Sequence, residues 1–279
     1  MIKFLLSIVI AVACLVGLVG AGVGAFLLTT PQPKDIKGCI TAKMFEVKLC
    51  PGQNGYTKLK DISVNLRNAV IVSEDGAFYT HQGLDLFELQ ESLNKNLEKG
   101  EFARGGSTIT QQLAKNVYLT QEKSLVRKAR EALIAIQLEK ILTKDEILEK
   151  YLNVVEFGPN LYGAHAASKH YFAKTPAQLT PAEGAFLAFL LPSPKKHAVS
   201  FQKKKLTPFA RNQLKIIVGR MQKYKKITDY EHEEALAQID HFFGAPPEII
   251  PADQLENPPL EESYEESESE DSEAYEEAI

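Results

Sequence analysis

The chain begins with one long apolar run. No charged residue lies between Phe4 and Leu28, a stretch of 25 residues. A helix of this length rises about 37 Å, which is enough to cross a hydrocarbon core of about 30 Å with some tilt. The run is longer than the apolar part of a signal peptide, which has about 7–15 residues. The pattern therefore predicts an uncleaved transmembrane anchor.

Amphipathic segments with recognisable helix starts follow from about residue 61. After Asp85, leucines recur at the spacing of one helix face (positions 86, 89, 93 and 97), and Gly100 is placed to end that helix. A threonine followed three residues later by glutamate, the capping-box pattern, opens three more predicted helices, at Thr143, Thr180 and Thr228. No run of alternating strands is visible. The pattern predicts a mainly α-helical body.

Charge and composition set the boundaries of that body. Residues 246–279 are rich in Pro, Glu and Ser, so we expect an acidic disordered tail. The net charge is −4, but twelve acidic and no basic residues lie from Pro251 onward, which leaves 32 basic and 24 acidic residues, or +8, for 1–250. A basic body suits an anionic partner or a plain solvated surface. We predict a short N-terminus with the anchor at 1–30, a linker at 31–60 and a folded domain at 61–245.

Two cysteines, Cys39 and Cys50, lie outside the predicted anchor and bracket the segment CITAKMFEVKLC. In an oxidising compartment they would close a small hairpin, and two unrelated thiols are the alternative. A disulfide favours a body exported across the membrane. The lysines around the anchor point the other way, with Lys3 before it and three lysines soon after it, although large domains are translocated despite such charges.

The segment 124–142, SLVRKAREALIAIQLEKIL, is predicted to be a central, buried helix, because apolar residues cover most of its circumference. Glu131 lies on an apolar stripe of this helix, one turn after Arg127. A carboxylate among apolar neighbours needs a partner, and Arg127 is within reach of an ion pair. We interpret Glu131 as a buried functional carboxylate rather than as half of a solvated surface pair.

The segment 104–116, RGGSTITQQLAKN, combines a glycine turn with a polar helix start. Adjacent glycines allow close approach of a ligand to the backbone, and Ser107 or Thr108 can cap a helix whose N-terminus attracts anions. Gln112 and Lys115 share a helix face with Thr108. This donor set suits a phosphate or a sugar phosphate, although a plain glycine turn before a polar helix face has the same composition. The order of residues excludes a Walker loop.

A third polar group lies in VSEDGAFYTHQG, at 72–83, which holds Glu74, Asp75 and His81. Metal ligands, a solvated turn and acid–base groups are all compatible with this segment alone. The chain lacks a dense set of further His and Cys residues, so we predict no metal site here. Two separated glutamates, a donor-rich helix start and a membrane anchor together favour sugar chemistry on a phosphorylated carrier.

Five consecutive segments resemble the motifs of the peptidoglycan glycosyltransferases, glycosyltransferase family 51: EDGAFYTHQGLD, RGGSTITQQLAKN, RKARE, KDEILEKYLNVVEFG and RNQLKIIVGRM. Their order and spacing match that family over roughly residues 60–225. No transpeptidase-like segment follows, so the resemblance is to the monofunctional biosynthetic peptidoglycan transglycosylases. It implies a mainly α, lysozyme-like glycosyltransferase domain with an N-terminal transmembrane helix.

The resemblance also implies roles for individual residues. Glu74 matches the family's catalytic base, and Glu131 matches its second essential glutamate. Asp75 and His81 match supporting positions of the first motif. The positions that match substrate-binding residues are Ser107, Thr108, Gln112, Lys115 and Arg127. The implied reaction polymerises lipid II into glycan strands with inversion at C1 and release of undecaprenyl pyrophosphate.

The implied partners are lipid II, the growing glycan strand, membrane lipid and other cell-wall synthesis proteins, at the periplasmic or outer face of the cytoplasmic (inner) membrane. Family members often use Mg²⁺ or Mn²⁺ at the pyrophosphate, but the sequence shows no dedicated cation cage. The alternatives are a lytic transglycosylase or lysozyme-like hydrolase, and a non-catalytic membrane scaffold of the same fold. No nucleic acid is expected as a partner, because no recognised binding module accompanies the basic residues.

Overall fold

A computed structural model describes residues 2–42, 47–99, 106–120, 122 and 124–244. Three predicted features lie outside these ranges: the acidic tail at 246–279, the helix stop at Gly100 and the first residues of the glycine turn, Arg104 and Gly105. The unit to which the described residues belong extends to Gly244.

The described part of the chain contains twelve helices and two short pairs of antiparallel strands. The helices are α1 (Ile2–Thr29), α2 (Val64–Glu74), α3 (Leu86–Lys99), α4 (Ile109–Tyr118), α5 (Leu125–Ile141), α6 (Lys144–Val154), α7 (Ala164–Phe172), α8 (Pro181–Leu190), α9 (Pro194–His197), α10 (Val199–Gln202), α11 (Pro208–Lys223) and α12 (Asp229–Asp240). Turns of 3-10 helix occur at Leu59–Asp61 and Pro176–Gln178. The strand pairs are β1 (Ile40–Ala42) with β2 (Val47–Leu49) and β3 (Glu156–Gly158) with β4 (Leu161–Tyr162). The predicted mainly α-helical fold class is confirmed.

Local signals in the sequence predicted several helix starts correctly. The capping boxes expected at three threonines are present at the starts of α6, α8 and α12, where the threonine side chain accepts from the backbone of the glutamate three residues later: Thr143, Thr180 and Thr228. A cap satisfies backbone donors that the helix itself leaves free. Its effect is therefore local, and it can be recognised from neighbouring residues in the sequence.

Helix α8 occupies the centre of the core. All of its residues from Ala182 to Leu190 are buried, and α2, α11 and α12 pack against it. Gly184 permits a close crossing with α2, because a Cβ at this position would lie 2.9 Å from the carbonyl group of Asn65. The crossing holds α2 firmly, and Glu74 is the last residue of α2.

Helix α1 is long and apolar enough to cross a membrane. Residues Phe4–Thr29 reach a mean hydropathy of 2.8, and none of that apolar window is buried. This is compatible with the predicted single-pass membrane anchor. At the C-terminal end of α1, Arg130 Nη2 donates to Thr29 Oγ1 at 3.0 Å and the guanidinium lies 5.7 Å from the centre of the Phe26 ring. The end of the apolar helix therefore contacts α5, the helix that carries Glu131.

The segment 31–60, predicted as a linker, packs onto the folded body instead. Ile36 and Ile40 are buried in the core, and the backbone N–H of Thr57 donates to Asn153 Oδ1 on α6 at 2.8 Å. The Pro and Lys content of this segment favours a linker. Its apolar residues are separated in the sequence and become buried through contacts with distant parts of the chain.

The β1–β2 pair is joined by a disulfide between Cys39 and Cys50, one of the two states that the spacing of the cysteines left open. The β3–β4 pair was not predicted. Its strands have three and two residues, and Asn160 between them has a φ of 57°. Strands this short show no alternation of apolar and polar residues that a sequence reading could detect.

Helix α5 is less buried than predicted. Leu125 and Val126 in its first turn are 89% and 54% exposed, whereas Ile134 and Leu138 are buried. Apolar residues around a helix do not by themselves specify burial in the protein core. The helix buried on all sides is α8.

Candidate active site

Glu74 ends α2 beside α4 and α6. Gln112 Nε2, on α4, donates to Glu74 Oε2 at 2.9 Å. The hydroxyl of Tyr151, on α6, donates to Gln112 Oε1 at 2.9 Å, and the Tyr151 side chain is fully buried. Glu74 is partly exposed, and its Oε1 accepts no hydrogen bond from the residues that the structure describes. One carboxylate oxygen is therefore fixed and the other is open.

The surroundings of Glu74 change its acidity. Burial raises the pKa of the Glu74 carboxyl above its ordinary value of 4.5, and the charge of Asp75 adds to the rise, while the Gln112 hydrogen bond and the Lys115 charge oppose it. Burial also raises the pKa of the Tyr151 hydroxyl well above 10, with smaller contributions from Glu74 and Asp75, so this hydroxyl stays protonated. Once ionised, Glu74 is a stronger base than a glutamate in water.

Asp75, next to Glu74, forms part of the framework of the site. Its carboxylate accepts from His81 Nε2 at 3.0 Å and from the backbone N–H of Ile109, the first residue of α4, at 2.9 Å. The N–H of Gly83 donates to His81 Nδ1 at 3.1 Å, so Nδ1 carries the lone pair and Nε2 carries the proton. A negative charge is favourable at a helix N-terminus. Asp75 and His81 thus fix the start of α4 against the end of α2.

Ser107 and Thr108 are adjacent in sequence but differ in their surroundings. Thr108 is buried, and its hydroxyl accepts from the Gln111 N–H at 3.1 Å and donates to the carbonyl of Gly83 at 2.7 Å. Thr108 is therefore the cap of α4 and does not present its hydroxyl to an open surface, in contrast to the substrate contact that the motif resemblance implied. Ser107 is partly exposed and accepts from Lys128 Nζ at 2.6 Å.

Glu131 is 2% exposed and pairs with two cations of its own helix. Arg127 Nη1 donates to Glu131 Oε2 at 3.1 Å, and Lys128 Nζ donates to Glu131 Oε1. The ion pair expected between Arg127 and Glu131 is present. Because both oxygens of Glu131 are engaged, this carboxylate is placed to hold the two cations rather than to accept a proton.

Lys115 lies on α4 within electrostatic reach of both glutamates. Burial lowers the pKa of the Lys115 ammonium, and the charges of Arg127 and Lys128 lower it further, whereas Glu131 and Glu74 oppose the change. Arg127 and Lys128 both pair with Glu131, and the charges of all three residues act on Lys115, so the three cations form one cluster around Glu131. Such a cluster near a helix N-terminus is a suitable environment for a phosphorylated group.

The residues of the site do not fit a resident metal ion. Within the ranges that the structure describes, no group of three or more His, Cys, Asp or Glu side chains is placed to hold one. Both oxygens of Glu131 are paired with cations, and the Asp75 carboxylate accepts hydrogen bonds from His81 and from the first backbone N–H of α4. A divalent cation, which prefers several oxygen ligands, would find few of them here.

Two residues of the site were missed by the sequence reading. Lys128 lies three residues before Glu131 and could have been found by the same spacing argument that identified Arg127. Tyr151 has no comparable signal, because its contact with Gln112 depends on the packing of α4 against α6. The structure does bring together the predicted residues Glu74, Gln112, Lys115, Arg127 and Glu131.

A family model described as Transglycosylase matches residues 44–222, which is more than half of the chain. The chain therefore belongs to the transglycosylase family. The match includes every residue of the site described above.

Curated relatives bear the name biosynthetic peptidoglycan transglycosylase. The relative from Azoarcus sp. (strain BH72) is 46% identical over 146 residues, or 52% of this chain and 63% of the relative. The relative from Alcanivorax borkumensis is 49% identical over 142 residues, or 51% of this chain and 58% of the relative. The relative from Nitrosospira multiformis is 41% identical over 162 residues, or 58% of this chain and 69% of the relative. The chain thus spans between 58% and 69% of the length of these relatives.

Proposed function

We propose that this protein is a peptidoglycan glycosyltransferase that polymerises lipid II into glycan strands. The observation that carries the proposal is the half-open carboxylate of Glu74 beside a cluster of three cations. The motif resemblance and the names of the relatives support the same activity. The membrane-compatible helix α1 suits a substrate that is held in a bilayer by its lipid.

Glu74 is proposed as the general base. Its open oxygen, Oε1, takes the proton of the 4-hydroxyl of GlcNAc on the acceptor. That hydroxyl oxygen then attacks C1 of MurNAc on the donor, the bond from C1 to the pyrophosphate breaks, and the configuration at C1 inverts. A positioned general base contributes about 10²–10⁴ in rate.

Lys115, Arg127 and Lys128 are proposed to stabilise the departing undecaprenyl pyrophosphate. Negative charge develops on this group as its bond to C1 breaks, and cations that are already in place lower the barrier. Glu131 keeps Arg127 and Lys128 in position through its two ion pairs. Ser107, bound to Lys128, is partly exposed and offers a further hydroxyl.

The remaining predicted residues are proposed to support the site. Gln112 contacts the base directly. Thr108, Asp75 and His81 hold the start of α4 in place. Because the carboxylates of Asp75 and Glu131 are engaged, we propose that any Mg²⁺ or Mn²⁺ binds together with the pyrophosphate of the substrate.

We propose that α1 anchors the protein in the cytoplasmic membrane with the folded domain at its outer, periplasmic face. The disulfide between Cys39 and Cys50 supports this orientation, because disulfides persist in oxidising compartments. Confinement to the bilayer that carries the lipid-linked sugar raises the effective concentration of the substrate.

The proposal is tested with the full chain purified in detergent and given labelled lipid II, with products sized before and after muramidase digestion. We expect long, muramidase-sensitive strands from the protein and none from Glu74→Gln. Glu234→Gln, an identical change at an exposed position on α12, is the matched control and should retain activity.

Two other outcomes would point to other functions. A lytic enzyme would instead release anhydro ends or small sugars from finished cell wall, and the raised pKa of the Glu74 carboxyl would suit a general acid in such a reaction. A scaffold would fold normally and show neither activity.

A further inference from the structure

The amide of Gln112 bridges two groups that differ in their hydrogen-bonding capacity. On one side its Nε2 donates to Glu74 Oε2, and on the other its Oε1 accepts from the Tyr151 hydroxyl, both at 2.9 Å. An ionised carboxylate can only accept. The buried hydroxyl stays protonated and therefore carries a proton to donate.

Rotation of this amide by 180° would disrupt both contacts. Gln112 Oε1 would then face Glu74 Oε2, so two acceptors would oppose each other, and the Tyr151 proton would lose its acceptor. Tyr151 is fully buried, so water cannot replace that acceptor. A buried polar group left without a partner is costly, and the rotated orientation is therefore disfavoured.

We propose that Tyr151 is a positioning residue whose hydroxyl proton locks the Gln112 amide, so that Glu74 Oε2 is held by an N–H and Glu74 Oε1 is reserved for the substrate proton. This inference rests on the proposed role of Glu74 as the base. Tyr151 acts through Gln112 and, being buried, does not touch the substrate.

The lock has a consequence for the pH dependence of the reaction. The Gln112 N–H favours the ionised form of Glu74, so a loosened amide raises the pKa of this carboxyl. Lys115 on α4 and the adjacent Asp75 are the charged groups that act on Glu74. Helices α8 and α11 also pack on α2, and their charged residues either form ion pairs or are exposed: Glu183 with Lys174, Arg211 and Lys215 with Asp240, and Arg220 and Lys223 at the surface.

The first test is Tyr151→Phe in the full chain, which removes the hydroxyl and keeps the ring. We expect the acid limb of the pH profile of kcat/KM to move upward by about one pH unit. At pH values on the acidic side of this limb, kcat/KM of the variant should be about tenfold lower than that of the unmodified protein. At higher pH, where Glu74 is ionised in both proteins, the two values of kcat/KM should converge. KM should stay unchanged, because Tyr151 does not contact the substrate.

Tyr171→Phe is the matched control. The Tyr171 hydroxyl is also buried and donates to the carbonyl of Phe157 at 2.8 Å. This variant should lose thermal stability in the same way but leave the acid limb in place. If Tyr151→Phe lowers the rate equally at every pH, as a loss of folded protein would, the proposal is overturned.

Gln112→Ala keeps the Tyr151 ring in the core and provides a second route to the same result. The acid limb should move upward in this variant, and adding Tyr151→Phe to it should give no further shift, because the two residues act in series. Equal shifts from Tyr151→Phe in both backgrounds would overturn the lock.

An infrared titration of the Glu74 carboxyl separates this inference from the proposed function, because it needs no substrate. The band is identified by its loss in Glu74→Gln. An upward shift of the titration in Tyr151→Phe supports the lock even if the protein polymerises nothing. An unshifted titration in a protein that does polymerise lipid II overturns the lock and leaves the proposed function standing.

Discussion

Glu74 and Glu131 are the two glutamates of the site, yet their surroundings differ. Glu74 contacts Gln112 on α4, and Glu131 pairs with Arg127 and Lys128 on α5. Glu131 is almost fully buried and has a cation on each oxygen. Glu74 is partly exposed, has one neutral amide as its hydrogen-bond donor and keeps one oxygen open. Burial raises the pKa of the Glu74 carboxyl.

The difference shows how one site can use the same side chain in two ways. A carboxylate with a cation on each oxygen is held in one geometry, which suits the orientation of Arg127 and Lys128 toward a phosphorylated group. A carboxylate with one donor and an open oxygen can gain and lose a proton. The neighbours of each glutamate, rather than its residue type, thus separate the proposed base from the proposed support.

The largest expected effects on polymerisation are those of Glu131→Gln and Glu74→Gln, and the two variants should differ in stability. Both should reduce polymerisation by at least about 10², but Glu131→Gln leaves two cations without their partner and should cost about 2 kcal/mol of unfolding free energy as well. Glu74→Gln should lose no stability, because it replaces a partly desolvated charge by a neutral group. Thermal melts alongside the lipid II assay measure both. Equal losses of stability would show that the two carboxylates do not differ as described.

A smaller effect is expected from Arg127→Ala. The loss of one preplaced cation should lower turnover by about 10–10², while the fold persists because Lys128 still pairs with Glu131. Lys140→Ala, at an exposed position on the same helix, is the control and should leave turnover unchanged. Unaltered turnover in Arg127→Ala would remove this guanidinium from the site.

The smallest effect concerns the pH dependence of stability. Because the pKa of the Glu74 carboxyl is higher in the folded than in the unfolded chain, the folded state binds more protons, and this group's contribution to stability falls as pH rises above about 4.5 toward the folded pKa. Glu74→Gln removes that fall. Between pH 4 and pH 7, the melting temperature of the variant should therefore rise relative to that of the unmodified protein as pH rises. A constant difference between the two melting temperatures would argue against a raised pKa of Glu74.

Much of the fold could be predicted because its signals are local. Thr143, Thr180 and Thr228 mark helix starts through bonds that span three residues, and the apolar run of α1 needs no partner to be recognised. Segment 31–60 has the composition of a linker but packs onto the body, because its apolar residues find their contacts far away in the chain. The first turn of α5 is the reverse case, because it is apolar in sequence but exposed in the structure.

The sequence by itself determined the helical class, the long apolar N-terminal helix, the family motifs and the residue types of the site, because periodicity, caps and motif order are properties of neighbouring positions. Only the tertiary structure decided that Thr108 is a cap, that Lys128 joins Ser107 to Glu131 and that Glu74 keeps one oxygen open. These features depend on contacts such as those from Gln112 to Glu74 and from Tyr151 to Gln112, which are 38 and 39 residues apart and exist only where α2, α4 and α6 pack together.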